Sequence, residues 1–451
     1  MVENTTTAVD TFQRLLEKVR SKQLPLISLR PKEISENAAY EGDYDLFLPP
    51  EYMNELFEIV FDLAVEGGSS FTINRYKHGK AVIILHNRAD NRSIFLEIWN
   101  MLSVKDPYKK TIRYIYPEQL KSHIVFADNR EASFSLEIEA LYYLSHLHTG
   151  AKKTSTPLVR YRISHYETAL AEAGSAYAIW FRDLSEGTID IKTAAHRANM
   201  ELADKEVLFL RTDIGAVIRE TKTKAASSAR RMKRQLLQSL KTVPVVGPDG
   251  VGKTTLIESL LSKASVKIGY FRFKKLFRSS PLYRLAFPLL RGVLNREFRG
   301  ERFIGKTEVD DRFASIVFFN ALLFLPFRIL INRLAGKVIF VDRYFHDYLL
   351  TDVRLRREKA GLRKNWRGWL RLIPNPYWFI HLDASAEVIL SRKTELSEEG
   401  ILAYRYGVFR ACLEKPMMIY SYVNTESSSE ACSDLLIEIA AIADIELRKG
   451  E

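Results

Sequence analysis

With 451 residues, 47% of them hydrophobic and 27% charged, the chain has the composition of a folded globular protein with room for two or three domains, which excludes a disordered or fibrous chain. Its 67 Lys and Arg against 55 Asp and Glu leave a net charge of +12, which calls for an anionic partner: nucleotide phosphates, a phosphorylated glycan, a membrane face or nucleic acid. Met1 to Asp10 is polar with no apolar core, so no secretory signal is expected; Cys412 and Cys432 lack metal-ligand spacing and are expected as a reduced cytoplasmic pair, with a disulfide between them as the alternative.

In chain order, residues 25 to 100 alternate apolar runs with polar loops and read as strands. An Asp-x-Asp opens one of them in Glu41-Gly42-Asp43-Tyr44-Asp45-Leu46-Phe47-Leu48. Strand alternation puts Asp43 and Asp45 on one face, as a shared divalent metal requires, and Glu97 in Ile94-Phe95-Leu96-Glu97-Ile98 is a third carboxylate for the same site. The other reading is a solvated acidic strand end. Over residues 20 to 125 this pattern resembles the nucleotidyltransferase fold, in which such a pair and a third carboxylate hold Mg²⁺ for nucleotidyl transfer. The Gly-Ser that the family carries ahead of the pair is replaced by Ser35-Glu36-Asn37-Ala38-Ala39, which leaves room for a degenerate domain that binds sugar or nucleotide.

Residues 130 to 240 show helical spacing, in Glu137 to Leu144 and again in Ala194 to Ile218. His146 and His148 stand two apart, cannot share a helix face, and are expected to pack or face solvent rather than bind metal. Lys222 to Lys241, with Arg230, Arg231, Lys233 and Arg234, reads as a basic connector helix, and nucleic acid is not expected on it.

The apolar run Val243-Pro244-Val245-Val246 leads into Gly247-Pro248-Asp249-Gly250-Val251-Gly252-Lys253-Thr254-Thr255 and then into the helical pattern Leu256 to Leu261. This is GxxxxGK[ST] in its strand–loop–helix setting. Glycines let several backbone N–H groups face one anion, and the helix N-terminus adds its positive end. Lys253 is placed to reach the β/γ-phosphates, and Thr254 to offer its hydroxyl to Mg²⁺. Gly247, Asp249, Gly250, Val251, Gly252, Lys253, Thr254 and Thr255 are therefore the expected nucleotide-binding residues, with ATP and Mg²⁺ as cofactors.

Val266 to Phe273, Val338 to Val341 and Trp378 to Leu382 read as further strands between helical patterns, giving an α/β domain with a mostly parallel sheet. Asp342-Arg343-Tyr344 falls at the C-terminal strand edge, where ligands gather; the carboxylate suits a metal-bound water and the guanidinium a phosphate. The apolar run Phe313 to Ile331 is interrupted by Asn320, Pro326 and Arg328 and leads through Gly336 into the strand at Val338, so a buried crossover helix is expected rather than a bilayer span. Two basic runs interleaved with aromatics, Arg272 to Arg302 and Arg354 to Arg371, read either as solvated faces or as walls of an acceptor site, the second also as a membrane-surface contact.

On the loop Gly247 to Thr255, on Asp342-Arg343-Tyr344 and on Trp378 to Asp383 followed by Glu387 and Arg392, residues 241 to 430 resemble a thymidylate kinase-type nucleotide kinase. Arg392-Lys393-Thr394-Glu395-Leu396-Ser397 is similar to kinase-like proteins found among surface-polysaccharide genes. The resemblance implies that Asp249 approaches an acceptor sugar hydroxyl and that Asp342 and Arg343 serve the metal and the acceptor phosphate. It further implies that a basic lid of Arg392, Lys393 and Arg405 covers the transferring phosphates. The expected catalytic set is Lys253, Asp342, Arg343 and Arg392, with Thr254 and Asp342 toward the metal. No acceptor-base segment of a true thymidylate kinase is found, so the expected acceptor is a nucleotide or a phosphorylated saccharide, as in surface-polysaccharide synthesis.

The competing reading is a nucleotide-gated binding or regulatory protein with a degenerate first domain. The expected organisation is an N-terminal α+β nucleotidyltransferase-like domain (1–129), a helical domain and linker (130–240), and a C-terminal P-loop NTPase domain (241–451). The oligomeric state is left open, a dimer being consistent with the sequence.

Overall fold

The computed structural model describes residues 8–29, 43–77, 79–86, 93–105, 107–108, 112–147, 156–208, 242–264, 268–278, 280–297, 337–345, 376–393, 396–414, 419–426 and 428–442, with isolated positions 225, 228, 229, 232, 323 and 331. The fold is mixed α/β, and the chain divides into two compact units, Met1–Gly67 with Tyr76–Arg231, and Gly68–Arg75 with Met232–Glu451.

The first unit opens with α1 (Ala8–Ser21), β1 (Ile27–Ser28), β2 (Asp43–Phe47) and α2 (Met53–Gly67). The helix α2 lies within the stretch read from the sequence as strands. Its buried residues Leu56, Phe57, Val60, Phe61 and Ala64 recur at three and four residues, so their helical period overrides the surrounding strand pattern. The strand β3 (Ser70–Lys77) belongs, up to Arg75, to the second unit. The first unit resumes with β4 (Lys80–His86), β5 (Ser93–Trp99), the separate hairpin β6 (Leu102–Lys105) and β7 (Ile112–Ile115), the short α3 (Pro117–Leu120), β8 (Ile124–Phe126) and β9 (Ala132–Phe134).

Its sheet runs β4-β5-β2-β1-β9-β8, with β4 antiparallel and β2 parallel to β5. Along β5 the buried residues Ile94, Leu96 and Ile98 alternate with half-buried ones, so Glu97 and Trp99 share the other face. Four helices follow: α4 (Leu136–Leu147), α5 (Pro157–Glu172), α6 (Ala178–Glu186) and α7 (Ile191–Asp204). Their apolar stripes, with Leu141, Leu144, Tyr166, Phe181 and Leu202, share one core with Phe47 of β2.

The second unit contains β10 (Thr242–Val246), α8 (Lys253–Lys263), β11 (Ile268–Arg272), α9 (Phe273–Arg278), α10 (Pro281–Glu297), β12 (Val338–Asp342), β13 (Trp378–Asp383), α11 (Ala386–Arg392), α12 (Glu398–Glu414), β14 (Ile419–Asn424) and α13 (Ser429–Ile442). Its strand order is β11-β12-β10-β13-β14-β3; the first five are parallel and β3 is antiparallel to β14. β10, β13 and β14 are buried along their whole lengths, which accounts for their continuous apolar runs. The strand expected through Phe273 ends one residue earlier, because Phe273 starts α9 and is itself buried.

The strand β3 is joined to this unit by side chains as well as by its ladder. Phe71 stacks on Tyr422 with ring centroids 5.6 Å apart, the Thr72 and Ser421 hydroxyls lie 3.0 Å apart, and the Asn424 backbone N–H donates to Ser70 Oγ at 3.1 Å.

Cys412 and Cys432 are both buried and unbridged. The apolar run Phe313 to Ile331 lies outside the described residues apart from Leu323 and Ile331, and so do the basic run Arg354 to Arg371, His148, Ser35 to Ala39 and most of Lys222 to Lys241. Among the described residues no helix is long and apolar enough to cross a membrane.

Candidate functional site

The strand β10 delivers the chain into the loop at Gly247. A Cβ there would stand 2.5 Å from the Leu382 carbonyl of β13, so only glycine lets the loop pass. Gly250, at φ +96°, has the Ile389 carbonyl 3.2 Å from where its Cβ would be. The loop then enters α8 through Gly252, so the first N–H groups of α8 open toward a cavity of about 640 Å³. Five cations line that cavity (Lys253, Arg272, Arg343, Arg392 and Lys393) against two carboxylates, Asp249 and Asp342. Thr254 and Thr255 face it with exposed side chains. This charge balance, added to the helix N-terminus, makes an anion site.

Lys253 is buried, and its Nζ donates to the carbonyls of Gly247 and Pro248, each at 2.8 Å, and to Asp249 Oδ1 at 3.4 Å. Its flexible stem can turn the same ammonium toward an anion in the cavity. Arg343 follows β12 in a left-handed turn (φ +67°) that is held where its backbone N–H donates to the Val245 carbonyl at 2.9 Å. Its Nη2 donates to Asp249 Oδ1 at 2.6 Å, so the two motifs meet directly. Burial alone would push the Asp249 carboxyl up, but the Arg343 and Lys253 charges outweigh it and hold the group at about 2.

Asp342 closes the neighbouring wall. Its Oδ2 accepts from the Tyr270 hydroxyl at 3.0 Å and lies 3.9 Å from Arg272 Nε, while its buried Oδ1 has no hydrogen-bond partner among the described residues. A carboxylate oxygen left in that state, lining one cavity with the exposed Thr254, fits the all-oxygen donor set that Mg²⁺ prefers. Arg392 donates to the Gly250 carbonyl at 3.3 Å, and Lys393 lines the same cavity. The Thr425 hydroxyl, 2.8 Å from the Val251 carbonyl, ties the end of β14 to the loop, a contact that no sequence motif signals.

The expected lid residue Arg405 is elsewhere. It is buried on α12, ion-paired to Asp383 and bonded to the Ala384 carbonyl at 2.9 Å, and Tyr422 donates to the same Asp383 at 2.6 Å. Asp383 is fully buried and needs a cation, and Arg405 on the facing helix supplies it.

In the first unit, strand register sets Asp45 directly opposite Glu97. Asp43 lies at the start of β2, and its side chain is outside the described residues. Trp99 Nε1 donates to Asp45 Oδ1 at 3.2 Å, and buried Lys80 on β4 is ion-paired to Glu97 with its ammonium 4.6 Å from the Trp99 ring. Among the described residues no three of His, Cys, Asp and Glu come together to hold a metal. His146, expected only to pack or face solvent, stacks on Tyr142 and lines a cavity with Asp45 and Glu97.

No family model matches the chain, and no curated protein matches it. Among solved structures, thymidylate kinase from Candida albicans aligns over 45% of this chain and 92% of its own, at 20% identity and a TM-score of 0.31. A sugar kinase from Janibacter sp. HTCC2649 aligns over 45% of this chain and 95% of its own, at 17% identity and a TM-score of 0.25. Both likenesses are remote.

Proposed function

We propose that the second unit is an ATP-dependent phosphotransferase whose acceptor is a nucleotide or a phosphorylated saccharide. The observation that carries this reading is the meeting of Arg343 with Asp249 at 2.6 Å, beside Lys253, in a cation-rich cavity of about 640 Å³. A nucleotide-binding loop needs only its lysine and backbone N–H groups to hold a triphosphate. Asp249 within the loop, met by Arg343 arriving from the end of β12, supplies what an acceptor needs: a hydrogen-bond acceptor for its hydroxyl and a fork for its anionic group.

The roles follow from chemistry at each atom. The backbone N–H groups of Gly250 to Thr254 and the Lys253 ammonium bind the donor phosphates. Asp249, ionised, accepts a hydrogen bond from the acceptor and orients it. Arg343, Arg392 and Lys393 neutralise charge that spreads over the transferring group. Thr254 and Asp342 are the residues that would hold Mg²⁺, which would offset the charge of the donor phosphates.

The test is ATP consumption with Mg²⁺ across thymidine monophosphate, other nucleoside monophosphates and cell-envelope glycan fractions. Turnover with at least one acceptor, lowered roughly 10²–10³-fold by Lys253→Ala, is expected. Unchanged turnover in that variant would overturn the site, and silence with every acceptor would favour nucleotide-gated binding.

A further inference from the structure

We propose that the first unit binds a neutral polyol the size of one pyranose ring in the cavity lined by Asp45, Glu97, Trp99, Tyr142, His146 and Arg162. This site lies wholly in the first unit and does not depend on the phosphotransferase reading.

The sheet supplies one wall. Asp45 and Glu97 face each other across the parallel pair β2–β5, at the roughly 4.8 Å strand spacing that suits two acceptors for neighbouring hydroxyls. Ionised carboxylates only accept, and hydroxyl groups are the neutral donors that match them. Helices α4 and α5 supply the other wall, with Tyr142, His146 and Arg162; Arg162 is 7% exposed and brings a fixed fork of donors. Trp99 and Tyr142 add half-buried aromatic surface of the kind that packs on the C–H face of a sugar ring.

Charge and size decide the ligand class. Lys80 neutralises Glu97 from outside the cavity's lining, and Arg162 is the lining cation that stands with Asp45, so two cations match the two carboxylates. That balance gives no net field to hold a phosphate, and a carboxylate pinned to a buried ammonium is a poor metal ligand. The volume, about 170 Å³, equals the liquid share of roughly six waters. It has room for one hydroxylated ring and not for a nucleoside triphosphate.

The experiment is saturation-transfer NMR on the full chain with D-glucose, D-galactose and D-mannose, each with and without MgCl₂ and ATP. At least one hexose is expected to show transfer that is indifferent to Mg²⁺ and ATP, lost in Asp45→Asn and weakened about tenfold in Tyr142→Ala. The same transfer is expected to persist in Lys253→Ala. Thermal unfolding of each variant checks its fold, and Tyr142→Ala, on a helix rather than in the sheet, decides the matter if Asp45→Asn does not fold. Absence of transfer with all three hexoses, transfer that survives both first-unit variants, or transfer lost in Lys253→Ala would each overturn the proposal. None of these outcomes depends on ATP turnover, so the two readings fail separately.

Discussion

Asp249 in the second unit and Glu97 in the first each meet a cation, at different depths. Asp249 bonds Arg343 at the wall of the large cavity, with side chains 33% and 27% exposed. Glu97 bonds Lys80, whose side chain is 3% exposed. A half-exposed pair gives up little, under about 1 kcal/mol, when it exchanges its partner for a ligand group. A buried ammonium cannot give up its carboxylate without a cost of roughly 3–5 kcal/mol. The first pair is therefore exchangeable machinery, and the second is a fixed part of a wall.

The sharpest way to break this contrast is at the lysines. Lys253→Ala should lower ATP turnover by roughly 10²–10³-fold while costing about 1–3 kcal/mol of stability in urea unfolding, because the Gly247 and Pro248 carbonyls lose a buried donor. If stability collapsed together with activity, Lys253 would be a structural lysine like Lys80. On the other side, Glu97→Gln should destabilise the first unit by about 3 kcal/mol or more in urea unfolding, because Lys80 stays buried without its charge partner. A cost as small as that of a surface pair would show that water reaches Lys80.

Asp249→Asn is expected to cost less stability than Glu97→Gln, because its partner Arg343 is open to solvent, while reducing turnover, as read in parallel unfolding and kinetic measurements. Equal stability costs for Asp249→Asn and Glu97→Gln would dissolve the contrast. The smallest effect is in pH. Asp249 has a folded value near 2, below the usual unfolded value of about 3.9. Its contribution to stability is fully present above that unfolded value and is lost as pH falls through about 2. Between about pH 5 and 8 its charge is constant, so the pH profiles of wild type and Asp249→Asn should share one shape over that range. An acid limb present only in the wild type would contradict the position of this carboxyl.

How much of each site is legible in the sequence follows from how far apart its parts lie. The loop from Gly247 to Thr255 is contiguous, and Asp342-Arg343 directly follows an apolar strand, so spacing alone locates both. The Asp45–Glu97 juxtaposition is half legible: alternation gives the face, but the pairing of β2 with β5 is needed to set them opposite. Lys80 carries no local signal, since a lysine at a strand start reads as solvated until β4 turns it onto Glu97. Arg405 is assigned to the lid by the resemblance alone, and no local pattern signals that its buried partner Asp383 lies on a distant strand. The helix α2 was hidden within a strand-like neighbourhood, and the placement of β3 in the second unit depends on a ladder with β14 that no local pattern encodes.

That last strand has a consequence for synthesis of the chain. The Thr72–Ser421 and Ser70–Asn424 contacts join residues 349 and 354 positions apart. At about 5–20 residues per second, the ribosome releases the β3 segment roughly 17 to 70 seconds before its β14 partner exists. Throughout that interval Phe71 and Ile73, both buried in the finished protein, have no native neighbours on β14. The second unit is thus begun with β3 and can be completed only once β14 is made, so slowed synthesis between the two would leave a strand carrying Phe71 and Ile73 open to pairing with another nascent chain.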